Sequence, residues 1–446
     1  MGTDAAGSGS SWAFMVRALR YRNYRLFFGG QIVSLIGSWM TVTATSWLVY
    51  RLTGSAKMLG LVGFAGQLPS VLLTPLAGIL VDRWNQHRLL MLTQTLSMLQ
   101  SFALAALTFS GHMTIPALLL LNVFQGLINA FDMPCRQSFV IGLIEDRADL
   151  SNAIALNSSM FNFARLAGPA VAGAVIAATG EGWCFFADGA SFLAVLLALA
   201  AMRVAPRAPR PQNKAGAGAE FKEGWSHIAG SLPIRTIMGL LAAVCLLGVP
   251  YAVLVPIFAG KILGGGPHTL GMLMTASGAG ALIAAIWLAS LRSIAGLGRA
   301  ILAATTGFGV ALVAFGFSRS PWLSSLCLVG AGFGFMLTMA SCNTIIQTIV
   351  DQDKRGRVMS FLMLAILGTA PFGSLAVGVV ADRIGAPHTV LLQGACCLLI
   401  ALWFSTRLDE FHAHVRPIYA RMGLIPEAAL AGETAAAMMP PPGGRA

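Results

Sequence analysis

The 446-residue chain is 56% hydrophobic and only 10% charged, with a mean hydropathy of +0.75. A water-soluble fold has no use for that much apolar surface, so the bilayer is read as the solvent for most of the chain. The net charge of +12 would suit a nucleic-acid binder, but its placement along the chain assigns it to membrane topology instead.

A spanning helix needs about 20 apolar residues at ~1.5 Å rise each. Backbone groups in lipid must be satisfied internally and period-2 alternation is absent, so an all-α membrane protein is expected and not a barrel. In chain order, twelve spans are predicted near 25–50, 58–81, 88–111, 115–137, 152–178, 182–203, 234–261, 269–291, 299–318, 321–347, 357–381 and 387–407. Residues 1–24 precede them, polar at first and then basic at Arg17, Arg20 and Arg22. The first run is too long for a signal-peptide core and is kept as an anchor. Residues 25–203 form one six-helix half and 233–407 the other, joined by a Pro/Arg/Gly/Ala-rich loop at 204–232. Within that loop "EFKEGWSHIA" is expected as a short interfacial helix. The tail at 408–446 starts amphipathic and ends Ala/Pro/Gly-rich, as disordered segments do.

With the N-terminus inside, the loops alternate in charge. Of 29 Lys and Arg, outside loops receive only Arg51, Lys57, Lys261, Arg319 and Arg383, while Arg165 falls within a span. That asymmetry is the positive-inside rule and places both termini in the cytoplasm, with no nucleic-acid partner implied. The halves also repeat: "LIEDRADLSNAIAL" followed by "ARLAGPAVAG" is echoed by "IVDQDKRGRVMSF" followed by "GTAPFGSLAVG". Six plus six spans in repeated halves is an architecture of secondary transporters, with substrate bound near the midplane.

Chemistry-bearing residues follow in chain order. Span one carries a neutral polar set, Gln31, Ser34, Ser38, Thr41 and Thr45. "GILVDRWNQHRLL" at 78–90 joins spans two and three and resembles the signature of the major facilitator superfamily at this loop. Gly78, Leu80, Asp82, Arg83 and Leu90 match it; Asn85, Gln86 and His87 replace a Gly and two basic residues, and Arg88 keeps a charge nearby. Asn tolerates the left-handed turn that Gly would supply, so the replacement at Asn85 is physically mild. The resemblance implies a gate in which Asp82 faces the N-terminal end of span eleven, near Arg357, when the inside closes.

Span four reads "NVFQG": Asn122 stands where many antiporters of this superfamily have an Arg linked to proton relay, while Gln125 and Gly126 are retained. That residue is therefore not carried over. In span five, Gly168, Pro169 and Gly173 of "GPAVAG" resemble the Gly-rich antiporter signature, one turn after Arg165. Taken over residues 15–420, the chain resembles the branch of the superfamily that holds the enterobactin exporter and the transmembrane secretion effectors. This implies proton-driven export of a small amphipathic compound, a drug or siderophore, across the bacterial inner membrane.

Asp132, Arg165 and Asp188 are the ionisable groups expected inside spans, where each costs at least ~2.5 kcal/mol. Asp132 is either functional or interfacial, and Asp188 either functional or structural. Arg165 is expected to meet Asp132, directly or through Asn129, as a structural lock or as an alternating proton and cargo site. Asn343 and Gln347 add neutral polarity to span ten. No embedded carboxylate is expected in spans one, seven and ten, which favours neutral or anionic cargo over cations. "GAGFGFM" at 330–336 lies inside a span with no strand before it and reads as helix packing, not a dinucleotide loop. The seven scattered Cys read as apolar fillers, and the seven His, all expected in loops or tail, form no metal cluster. No catalytic residue, metal or cofactor is expected. The expected partners are a small-molecule substrate, a proton as coupling ion and the bilayer, served by a monomer.

Overall fold

The computed structural model describes residues 17–81, 83–203, 225–290 and 296–421. Among them are twelve helices long and apolar enough to cross a membrane. We label them α1 (Arg22–Thr53), α2 (Ala56–Val81), α3 (Gln86–Phe109), α4 (Ile115–Gly142), α5 (Leu150–Thr179), α6 (Glu181–Ala201), α7 (Leu232–Ile262), α8 (Pro267–Ser290), α9 (Leu297–Phe317), α10 (Pro321–Ile349), α11 (Gln352–Leu367 continued by Ala370–Ile384) and α12 (Ala386–Arg421). The end of the bundle where α1 begins and α12 finishes is called the terminal face, and the opposite end the distal face.

The two halves pack alike. In the first, α1 lies on α5 and α6, α3 on α4 and α6, and α2 on α4; in the second, α8 lies on α10 and α9 on α10 and α12. The halves meet along two seams, α5 against α8 and α2 against α11. Without a hydrophobic force between helices in lipid, close approach depends on small residues, and both seams supply them in the same way. A Cβ on Gly173 would sit 2.9 Å from the Cα of Gly271, and one on Gly378 would sit 2.9 Å from the Cα of Gly60. Gly168 and Gly373, each five residues earlier, press instead on α1 at the Ile36 carbonyl and on α7 at Pro250.

The hairpins that follow, at Gly180 (φ 93°) and Gly385 (φ 85°), need the backbone freedom of glycine. Equal spacing relates all three pairs, 168/373, 173/378 and 180/385. The repeat is thus written in glycines, and its register differs from an alignment of the prolines: Pro169 follows Gly168, whereas Pro371 precedes Gly373.

Both glycine contacts lie toward the distal face, and the α2–α11 seam thins toward the terminal face. The distal segment of α11, Ala370–Ile384, packs on α2, while Gln352–Leu367 packs on α7 and α10 of its own half. Ser158 on the terminal half of α5 and Gln347 near the terminal end of α10 are exposed.

Several expectations about boundaries change. Span four continues to Gly142, so Arg136, expected at the inside end of the span, lies within the helix. Asn85 is extended (φ −68°, ψ 105°) and accepts a hydrogen bond from Arg88 N at 3.1 Å, so it caps α3 and is not a left-handed turn. The tail begins as a continuation of α12 to Arg421, anchored by buried Phe411, Val415 and Tyr419. His268, His388, His412 and His414 accordingly lie in helices, and His87 in the first turn of α3. Of "EFKEGWSHIA", only Trp225 onward lies within the described residues, and 225–230 is helical.

Candidate functional site

Arg165 sits midway along α5, where that helix crosses α1 and α8. Pro169 has no N–H, so the carbonyl of Arg165 loses its intrahelical donor. Gly278 of α8 is packed directly against that carbonyl, a Cβ there falling 3.2 Å from the Arg165 oxygen, and the Thr275 hydroxyl reaches the Leu166 carbonyl at 3.4 Å. The proline, the small residues and the arginine thus occur together because the proline frees polar backbone that only a glycine-lined neighbour can cover.

The guanidinium lies over the Trp39 ring at 5.9 Å, and Tyr251 of α7 is within electrostatic reach. Tyr251 in turn bonds Ser277 of α8 at 2.8 Å. Among the described residues Arg165 makes no ion pair with a carboxylate. One and two turns back toward the terminal face, α5 presents Asn162 and Ser158 on the same side.

The expected pairing of Arg165 with Asp132 is not formed. Asp132 is buried and is held by Arg136, four residues along α4, as well as by Thr93 Oγ1 at 2.8 Å and Gln94 Nε2 at 2.7 Å from α3. Arg136 also donates to Gln31 Oε1 at 3.2 Å, which ties α1 into the group. The local i,i+4 partner wins because it is fixed on the same helix face.

Asn129 and Gln125 belong to a different link. Gln125 Nε2 donates to Asn129 Oδ1 at 3.0 Å and to Ser97 Oγ at 3.2 Å. Asn122 bonds its own helix at the Leu118 carbonyl, 2.8 Å away. The neighbouring Gly126 allows α2 to approach, and Ser70 donates to its carbonyl at 2.7 Å.

Asp188 of α6 lies buried where α1, α3 and α6 meet. Ser101 Oγ and Thr41 Oγ1 donate to Oδ2 at 2.8 and 2.9 Å, and Ser38 Oγ approaches Oδ1 at 3.5 Å. Three polar stripes therefore face one another inside the first half: Gln31, Ser34, Ser38, Thr41 and Thr45 on α1; Thr93, Gln94, Ser97, Gln100 and Ser101 on α3; Asn122, Gln125, Asn129, Asp132 and Arg136 on α4. The stripe on α3 went unread in the sequence, although its helical spacing marks it.

Of the expected gate, Asp82 lies outside the described residues. Gly78 is half-buried at the terminal end of α2 with open space beside its Cα, Arg83 and Arg88 are exposed, and Arg357 is half-buried in the second turn of α11. In α10, Gln347 donates to Asn343 Oδ1 at 3.1 Å, on the open terminal side.

The family model for transmembrane secretion effectors matches residues 10–423. The chain belongs to that family of major facilitator transporters. It is 26% identical over 388 residues to the Staphyloferrin A transporter of Staphylococcus aureus, a match that covers 86% of this chain and 96% of that protein. It is 26% identical over 393 residues to the multidrug efflux pump Tap of Mycolicibacterium fortuitum, covering 85% and 95%. Among solved structures it superposes with a TM-score of 0.66 on a bacterial homologue of the human lysosomal transporter Spinster, inward-facing and occupied, at 14% identity over 90% of this chain and 98% of that one. The secretion effector is accordingly a multi-pass membrane transporter and not an enzyme.

Its halves are chemically unequal. All four carboxylates buried among the described residues, Asp132, Asp149, Glu181 and Asp188, belong to the first half. The corresponding interior of the second half is held by neutral contacts, such as Thr305 with Thr338 at 3.2 Å. Gln393 of α12 covers the carbonyls of Leu247 and Gly248, at 2.9 and 3.3 Å, where α7 leaves α-helical geometry. Ionic chemistry in this transporter is thus concentrated in α1, α3, α4, α5 and α6.

Proposed function

We propose that this transporter exports small amphipathic compounds, neutral or anionic, from the cytoplasm by alternating access, in exchange for protons. Arg165 carries the reading of the cargo. It is a cation in the wall between the halves, stacked on Trp39 and without a carboxylate partner among the described residues, so a carboxylate or polarised carbonyl on the cargo would complete it. The excess of Lys and Arg on the terminal loops orients that face to the cytoplasm of a bacterial plasma membrane. On this orientation the conformation described here is inward-facing, with the two glycine seams closing the outside. Asp82 then approaches the N-terminal end of α11 near Arg357 when the inside closes, its carboxylate favoured by the helix dipole. The names of the relatives, a siderophore transporter and a drug pump, support small-molecule efflux.

The test is counterflow in vesicles of purified protein with two probes, carboxyfluorescein as an amphipathic anion and ethidium as an amphipathic cation. Wild-type protein is expected to exchange the anion, and Arg165→Gln to lose about tenfold or more of that exchange, since hydrogen bonds to charged groups contribute about 1.5–3 kcal/mol. Faster exchange of ethidium than of carboxyfluorescein, or unchanged anion exchange in Arg165→Gln, would refute the cargo assignment.

A further inference from the structure

We propose that Asp188 is the group that binds the coupling proton, gripping α1 when ionised and releasing it when protonated. This rests on the proton-exchange reading above and adds the residue and the device to it.

The first observation is one of pairing. Three of the four buried carboxylates have arginines: Asp132 has Arg136, Asp149 has Arg17 and Arg20, and Glu181 has Arg51 at 2.8 Å. Asp188, 3% exposed, has only hydroxyls among the described residues. A carboxylate that evolution left in a bilayer-embedded bundle without a cation is suited to changing its charge, because neither form is locked by a fixed partner.

The surroundings bear this out on each side. From α1 and α3 the groups that reach Asp188 are Ser38, Thr41 and Ser101, none of them titratable in water. From α6 itself Cys184 lies one turn away, and Glu181 beyond it is engaged by Arg51. The charged group of α5 is Arg165, whose guanidinium is over Trp39.

The second observation is how the carboxylate holds α1. An ionised carboxylate only accepts hydrogen bonds, and Oδ2 accepts two, one from each flanking helix. A proton on Oδ2 makes that oxygen a donor, so one of the two hydroxyls must turn to accept and the other donates to a neutral oxygen in place of a charged one. Ser101 can send its own hydrogen to Gln100 Oε1, 3.4 Å away, and accept from the carboxyl, so the bond from Thr41 is the one weakened. α1 is packed onto the carboxylate at this level: a Cβ on Gly37 would lie 2.8 Å from Asp188 Oδ1.

The third is what α1 touches on its other side. Trp39 packs on Gly168 of α5 and stacks under Arg165, and the Thr43 hydroxyl reaches Met274 of α8 at 3.6 Å. A change at Asp188 is therefore delivered through one helix to the α5–α8 seam and to the cargo arginine. Gln125 and Asn129, half-buried, continue the polar lining toward the terminal opening.

The experiment begins without cargo. An infrared pH titration of the purified full-length protein should show a buried carboxyl group changing protonation, and that band should be missing in Asp188→Asn. In vesicles, Asp188→Asn should lose about tenfold or more of pH-gradient-driven carboxyfluorescein transport while keeping its exchange, because a neutral isostere still permits the conformational cycle. Thr41→Val and Ser101→Ala each remove a donor to the ionised form, so each should move the pH midpoint of transport upward by about one unit.

A full carboxyl band in Asp188→Asn, gradient-driven transport that survives that change, or dependence on a sodium gradient in place of the pH gradient would each overturn the proposal. If Asp188→Asn does not fold, an unmoved pH midpoint in both hydroxyl variants overturns it equally. A wrong cargo assignment would instead leave wild-type protein silent toward carboxyfluorescein with the infrared difference intact.

Discussion

Substituting Gly173 by Ala tests whether the distal seam sets the conformation of this transporter. The added methyl would lie 2.9 Å from both the Gly271 Cα and the Pro267 carbonyl oxygen, where ordinary contact begins at 3.4 Å. Both obstacles are backbone, so neither can rotate away and the two helices must separate. Overpacking of this kind costs about 1–3 kcal/mol. The cost falls only on the state in which the seam is closed, so the balance should move toward the distally open state by about 5- to 150-fold.

The assay is the labelling rate of Gln347→Cys by a membrane-impermeant maleimide supplied at the terminal face. Six of the seven native cysteines are buried and Cys396 is half-buried, which keeps the background low. Gly173→Ala should slow labelling about fivefold or more, and Gly378→Ala, which meets Gly60 at the same distance on the other seam, should do likewise. Unchanged labelling in both variants, with protein yield and unfolding temperature preserved, would refute the idea that glycine contact holds the distal end shut.

Three further outcomes are expected. Asp132→Asn and Arg136→Gln should each destabilise the protein by about 3–5 kcal/mol, and the double variant should recover part of the loss, read by thermal unfolding in detergent. Asn85→Ala removes the cap of α3 and should cost about 1 kcal/mol in the same measurement, with transport retained. Asp82→Asn should lower transport in vesicles without affecting membrane insertion, and normal flux would remove Asp82 from the gate.

The number of spans, their order and the repeat could be read directly from hydropathy, because the bilayer imposes length and apolarity on each helix independently. The polar stripes of α1 and α4 were equally legible, since residues such as Ser34, Ser38 and Thr41 or Gln125, Asn129 and Asp132 fall at helical spacing on one face. The partner of each polar group was harder to read. Asp132 is held by Arg136 and not by Arg165 because Arg136 sits one turn along the same helix face, and hydropathy reports the depth of a charge but not the partner it meets. Asp188 could be placed by depth, but its three hydroxyl donors come from α1 and α3, a meeting that only the packing of the bundle defines. The register of the repeat also needed the packing, because glycines such as Gly173 and Gly378 mark where backbones touch.

The most direct test of the account is transport into everted membrane vesicles whose lumen is made acidic, so that protons leaving the lumen can drive cargo in. The account predicts that wild-type protein concentrates carboxyfluorescein in the lumen, that collapsing the pH gradient ends this, and that Arg165→Gln loses about tenfold or more of it. Accumulation that ignores the gradient, movement only out of the lumen, or concentration of ethidium in place of the anion would contradict it.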